Sequence, residues 1–128
     1  MKFADLAIKG MTFKEVYLND KSFDNDAIIF VLDESNGYAL THLQDCCEGV
    51  YIESIDGDLS DLVGEPLVMA EEAYQEGESD WGTSTWSFYK FATTKGYVTV
   101  RFFGESNGYY SEEARVYKIK DGSLHWLE

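Results

Sequence analysis

The densest group of chemically able side chains is His42-Leu43-Gln44-Asp45-Cys46-Cys47-Glu48, which holds one of the two histidines and both cysteines of the chain. Imidazole, thiolate and carboxylate are the ligand set of zinc, and a tight turn can converge side chains that an extended chain would send to opposite faces. His42, Asp45, Cys46 and Cys47 are therefore the candidate metal ligands, with zinc the expected ion. Electrostatics favours the same reading. Beside Asp45, Glu48 and Glu53 a bare thiolate is disfavoured, whereas a divalent cation stabilises thiolates and carboxylates together. Two other readings stay open. Free cysteines are often simply buried, and the repeated C-x-x-C spacing that marks zinc sites is missing. A reactive thiol is the third, although no Lys or Arg lies nearby in the sequence to activate it. The adjacent cysteines have Cα atoms about 3.8 Å apart, short of the roughly 4.4 to 6.8 Å usual for a disulfide, so a structural disulfide between them would be strained.

Other catalytic patterns are weaker. With 24 acidic residues some carboxylates fall close together by chance, so spacing selects no acid and base. No Gly-rich phosphate loop or Ser-His-Asp arrangement is apparent, and His125, beside Trp126, reads as a surface or packing residue. An enzyme is not the expected class, though a metal-dependent one with an open coordination position remains an alternative.

The elements that must position the cluster are strands. Alternation and turn chemistry predict them near 12–18, 26–33, 37–43, 48–55, 66–73, 84–93, 97–104 and 113–120. Asn36-Gly37 lies between two apolar runs and predicts a hairpin, because both residues tolerate positive φ. Thr93-Thr94-Lys95-Gly96 predicts a second one, with Gly at a left-handed position. Asp58 to Gly64 has an acidic cap and a following Gly, and predicts one or two helical turns. Glu76 to Gly82 combines turn residues and charge without a period and reads as a mobile loop. The string Glu-Ser-Asn-Gly-Tyr occurs at 34–38 and again at 105–109. Independent use of one turn chemistry explains it better than a duplication, since the flanks differ. The expected fold is mostly β, α+β at most: a single antiparallel, strongly twisted sheet or a small sandwich with one short helix. One acidic domain spans 1–128, large enough to bury a core.

Charge is unevenly spread. Of the net −14, residues 22–89 carry 16 Asp or Glu and no Lys or Arg. Such a segment repels phosphate, so nucleic acid and anionic membrane are poor direct partners. The bland reading is a solubilising face; the sharper one is a carboxylate surface that competes for a basic protein groove, with Glu71, Glu72, Glu76, Glu78 and Asp80 its candidate contacts. Trp86, Phe88, Tyr97, Phe102, Phe103, Tyr109 and Tyr110 suggest a base-stacking platform, but Lys90, Lys95 and Arg101 are too few to offset the acid, and these rings read mainly as core, with some left for an interface. No run approaches the roughly 18 apolar residues of a membrane span, and the start lacks the basic-then-apolar order of a signal peptide. A cytoplasmic monomer is expected.

Several motifs carry a resemblance over roughly 38–113. They are His-x-x-Asp-Cys-Cys-Glu at 42–48, Ile52-Glu53-x-Ile55-x-Gly57-Asp58-Leu59-x-Asp61-Leu62, Ala70-Glu71-Glu72, the stretch from Trp86 to Thr99, and Gly104 to Ser111. In these the chain resembles a family of small proteins of uncharacterised function from bacterial phages and prophages. It also looks like the small acidic phage proteins that serve as anti-CRISPR inhibitors, at least one class of which is metal-bound. The resemblance implies inhibition of an RNA-guided nuclease in the bacterial host, whose Lys- and Arg-lined DNA channel suits an acidic protein. A structural or assembly role in a phage particle is the remaining alternative.

Overall fold

The computed structural model describes residues 2–19, 26–80 and 82–126. Its strands are β1 (Ala4–Asp5), β2 (Glu15–Asn19), β3 (Ala27–Val31), β4 (Gly37–Thr41), β5 (Gly49–Asp56), β6 (Met69–Ser79), β7 (Gly82–Thr93), β8 (Gly96–Ser106), β9 (Arg115–Lys120) and β10 (Ser123–Trp126). They pair antiparallel into two five-stranded sheets, ordered β1-β6-β7-β8-β5 and β10-β9-β4-β3-β2. The mostly β expectation holds, and of its two forms the structure takes the two-sheet one. Among the described residues the one helical segment is a 3-10 turn at Leu59–Leu62, capped by the Asp58 side chain on the Ser60 N–H. No helix there is long and apolar enough to cross a membrane.

Period-two alternation explains how the sheets meet. On β7, Ser87, Tyr89 and Phe91 turn inward and are buried, as do Val98, Val100 and Phe102 on β8. Ile28 and Phe30 of β3 and Leu40 of β4 face them from the second sheet, and Phe30 meets Phe91 with ring centroids 5.1 Å apart. The second sheet is apolar on its other face as well, where Ala27, Ile29 and Ala39 pack with Val31 and Ile119. That double burial is why β3 reads as a continuous apolar run rather than an alternating one.

The predicted turns form, but by different chemistry. In the β3–β4 hairpin Gly37 has no positive φ; it lies in β4, where a Cβ would come 2.1 Å from the Phe30 carbonyl oxygen. The bend is made by Asp33, whose carboxylate accepts the N–H groups of Ser35 and Asn36 and the Asn36 side-chain amide. Gly96 likewise stays in β8, against the Asp61 carboxylate, and the β7–β8 turn is Thr94-Lys95. In the second Glu-Ser-Asn-Gly-Tyr string Gly108 does adopt φ +99°, so the two copies fold differently. The expected loop at 76–82 is corrected too: residues 76–79 continue β6 and pair with β7, Glu78 opposite Thr83. Charge at Glu76 and Glu78 alternates with Gly77 and Ser79, which is strand periodicity with one polar face. The aromatic expectation also needs correction. Of the seven rings named, Phe102 alone is fully buried, whereas Tyr97 is 69% and Tyr109 87% exposed, and Trp86, Phe103 and Tyr51 pack edge-on and tilted in a row across the outer face of the first sheet.

Between β8 and β9 the chain crosses from one sheet to the other, and the end of that crossing is buried without a ladder of its own. Side chains satisfy it instead, as buried backbone requires. Ala114 donates its N–H to Ser87 Oγ at 3.1 Å, and its carbonyl accepts the hydroxyls of Tyr89 at 2.8 Å and Tyr74 at 3.2 Å. This buried crossing is the floor on which both candidate sites are built.

Candidate functional site

The cysteine loop connects β4 of the second sheet to β5 of the first. Its base is an ion pair. His42 and Glu48 are both buried, and His42 Nε2 donates to Glu48 Oε2 at 2.7 Å while its Nδ1 donates to the Glu113 carbonyl at 2.9 Å. Only the doubly protonated ring donates at both nitrogens. The Glu48 carboxylate also accepts the backbone N–H groups of Asp45 and Cys46, each at 2.9 Å, and Gln44 Nε2 donates to the Glu48 carbonyl at 2.6 Å. Burial pushes the Glu48 carboxyl up, but the Cys46 N–H, His42 and the Asp45 N–H outweigh it and hold it at about 2.

The tip is exposed, and there the chain bends at Cys46 and Cys47. The two cysteines are joined to each other as a disulfide with Cα atoms 3.8 Å apart. The bends in the backbone bring together side chains that an extended chain would separate. The inert-core reading is corrected, since neither cysteine is buried. The sulfurs are bonded together, both ring nitrogens of His42 are engaged, and among the described residues no three His, Cys, Asp or Glu are grouped to hold a metal.

The acidic candidates divide by strand parity. Glu72, Glu76 and Glu78 share one face of β6; Glu71 lies on the other, opposite Lys90 of β7, and Asp80 lies in the turn beyond β6. Glu72, Glu76 and Glu113 line an open groove of about 310 Å³ with Tyr74, Thr85 and Arg115. A second groove of about 230 Å³ shares Glu76, Thr85 and Glu113 and extends to Thr83, Tyr110 and Glu112. Folding brings cations from the flanks onto the acidic middle: Arg101 pairs with Glu53 at 2.7 Å. Arg115 pairs with Glu113, also at 2.7 Å, a contact that lowers the Glu113 carboxyl against the upward push of burial. Glu76 and Glu78 stay exposed.

Sequence reasoning passed over Glu112. It is buried and accepts hydroxyls from Thr83 at 2.5 Å, Thr85 at 3.0 Å and Ser106. Its signal was the alternation of hydroxyl residues Thr83 and Thr85 on the face of β7 that continues inward through Ser87, Tyr89 and Phe91, which calls for a buried acceptor. The side chain of His125 lies outside the described residues.

A family model described as a domain of unknown function (DUF7448) matches residues 7–116. The chain belongs to this family. The DUF7448 match takes in the cysteine loop, all of β6 and the buried crossing, so both candidate sites lie within the domain. No curated protein and no solved structure matches the chain.

Proposed function

We propose that this DUF7448 protein acts by binding: its acidic groove takes Lys and Arg side chains of a basic protein surface and so keeps nucleic acid from it. The observation that carries the reading is the pair of joined grooves lined by Glu72, Glu76, Glu112 and Glu113, with Glu76 exposed and the exposed Glu78 next along the same face of β6. A guanidinium entering there meets carboxylates on two sides, and the surrounding field of net −14 steers cationic partners and excludes phosphate. The DNA channel of an RNA-guided nuclease in a bacterial host is the target suggested by the phage-protein resemblance, and occlusion of DNA loading is the mechanism. Zinc at His42, Asp45, Cys46 and Cys47 is a further proposal, for the reduced protein alone, where opening the disulfide releases two thiolates beside Asp45 and the metal takes His42 Nε2 in place of Glu48. About one equivalent in untagged protein purified under reductant supports it, and none removes it.

The binding reading is tested by E76K and E78K together, two exposed positions whose reversal leaves the core intact. Affinity for a purified RNA-guided nuclease, measured across salt, is expected to fall at least tenfold at low ionic strength, with the gap closing as salt rises. DNA cleavage by the nuclease should recover in parallel. Affinity that is unchanged by the reversal and by salt sinks the reading.

A further inference from the structure

Two adjacent cysteines stand exposed at the tip of a loop whose base is built from a buried ion pair and five further hydrogen bonds to Glu48 and Cys46. Cysteine is among the most buried residue types, so a chain whose two cysteines are both held in solvent has placed them where thiol chemistry is accessible. We propose that Cys46 and Cys47 form a two-electron thiol–disulfide couple, a redox modification site that exchanges with small thiols and disulfides. The inference does not depend on the acidic groove having a partner.

A thiolate from a small thiol attacks one sulfur of the Cys46–Cys47 bond, forming a mixed disulfide and expelling the neighbouring cysteine as a thiolate, which takes up a proton. A second small-molecule thiolate attacks the outer sulfur of the mixed disulfide and releases the other cysteine. The sum is protein disulfide plus two thiols giving protein dithiol plus one small-molecule disulfide, with two electrons and two protons gained by the protein. Run in reverse, a small disulfide oxidises the pair, and the second cysteine always resolves the adduct because its sulfur is on the next residue.

The scaffold suits this cycle. Glu48 holds the loop through the backbone N–H groups of Asp45 and Cys46 and through His42, none of which involves sulfur. The loop therefore keeps its base whether the disulfide is closed or open. The local field also sets a preference. Asp45 precedes the pair and the whole chain carries a net charge of −14, so an anionic thiol such as glutathione is repelled more than 2-mercaptoethanol.

The experiment uses the full chain, native and in EDTA, read by intact mass after maleimide alkylation. Wild type treated with oxidised glutathione should return as the internal disulfide with no stable adduct. After dithiothreitol without denaturant it should take two maleimides, with its circular dichroism unchanged. C46S and C47S should each retain one glutathione, because the resolving thiol is gone. Reduction by glutathione should accelerate with salt relative to reduction by 2-mercaptoethanol. A wild type that keeps glutathione stably, or whose sulfurs react with neither reagent until the protein is unfolded, overturns the proposal, and that outcome needs no variant to fold.

Discussion

Glu48 decides the geometry of the cysteine loop, and its chemistry is an acid–base matter as well as a packing one. Its carboxyl is held at about 2 against an ordinary 4.5. A group whose folded value is depressed contributes stability that is fully present above the ordinary value and is lost as pH falls toward the folded one. The loss should therefore run from about pH 4.5 down to about pH 2. Glu48→Gln keeps the shape but removes the charged acceptor of His42 Nε2 and of the Asp45 and Cys46 N–H groups, and is expected to cost about 2 kcal/mol at pH 7. Urea denaturation of wild type and variant at pH 7, 4 and 3 checks this: the difference must shrink with acidification. A constant difference would mean that Glu48 acts through shape alone.

At the scale of the elements, close approach of backbone decides which glycines are replaceable. A Cβ at position 37 comes 2.1 Å from the carbonyl oxygen of Phe30 on the neighbouring strand, whereas one at position 49, at the start of β5, has nothing within 4 Å. Replacing Gly by Ala removes unfolded-state freedom worth about 0.4 to 1 kcal/mol at an unstrained site. At Gly37 the clash outweighs that gain, and the β3–β4 pairing must splay. Gly37→Ala is expected to destabilise by about 2 to 3 kcal/mol and Gly49→Ala to stabilise by about 0.5 kcal/mol, measured by thermal or urea unfolding. Equal effects of the two would remove the steric account. The long β6–β7 hairpin raises a related point. β1 covers β6 only at Glu71 and Glu72, so Glu76 and Glu78 lie along a stretch of β6 without a described strand on that side. Charges there discourage another chain from pairing, which gives these residues a protective role alongside the proposed binding one.

For the whole molecule the dominant long-range term is self-repulsion from a net charge of −14. The structure relieves it in part through Arg101–Glu53 and Arg115–Glu113, but leaves Glu76 and Glu78 exposed. Raising salt from about 0.01 M to about 1 M shortens the screening length from about 30 Å to about 3 Å. The melting temperature is expected to rise by about 4 °C, equivalent to roughly 1 kcal/mol for a domain of this size. A melting temperature that falls with salt would mean that the few ion pairs outweigh the general repulsion.

The sequence by itself determined the class of fold, because alternation and β-branched content are local properties: eight of the strands, the capped 3-10 turn and both hairpins follow from it. It also singled out the 42–48 cluster and the acidic middle. Turn conformation was not legible, since Gly37 and Gly96 are required by neighbours far along the chain, Phe30 and Asp61, and not by their own φ. The short β1 and β10 were missed because their strand character comes from the partners they pair with, β6 and β9. In the cluster the residue types were visible but their roles were not. Glu48, the last residue of the motif, was left out of the ligand set, yet it holds the loop. Only tertiary structure brings the Glu113 carbonyl to His42 across 71 positions and turns a ligand-like pattern into a buried ion pair beneath two exposed sulfurs. Long-range pairing decides such things because a hydrogen-bond partner for a buried group is supplied by whichever strand the fold lays beside it, and spacing along the chain carries no record of that.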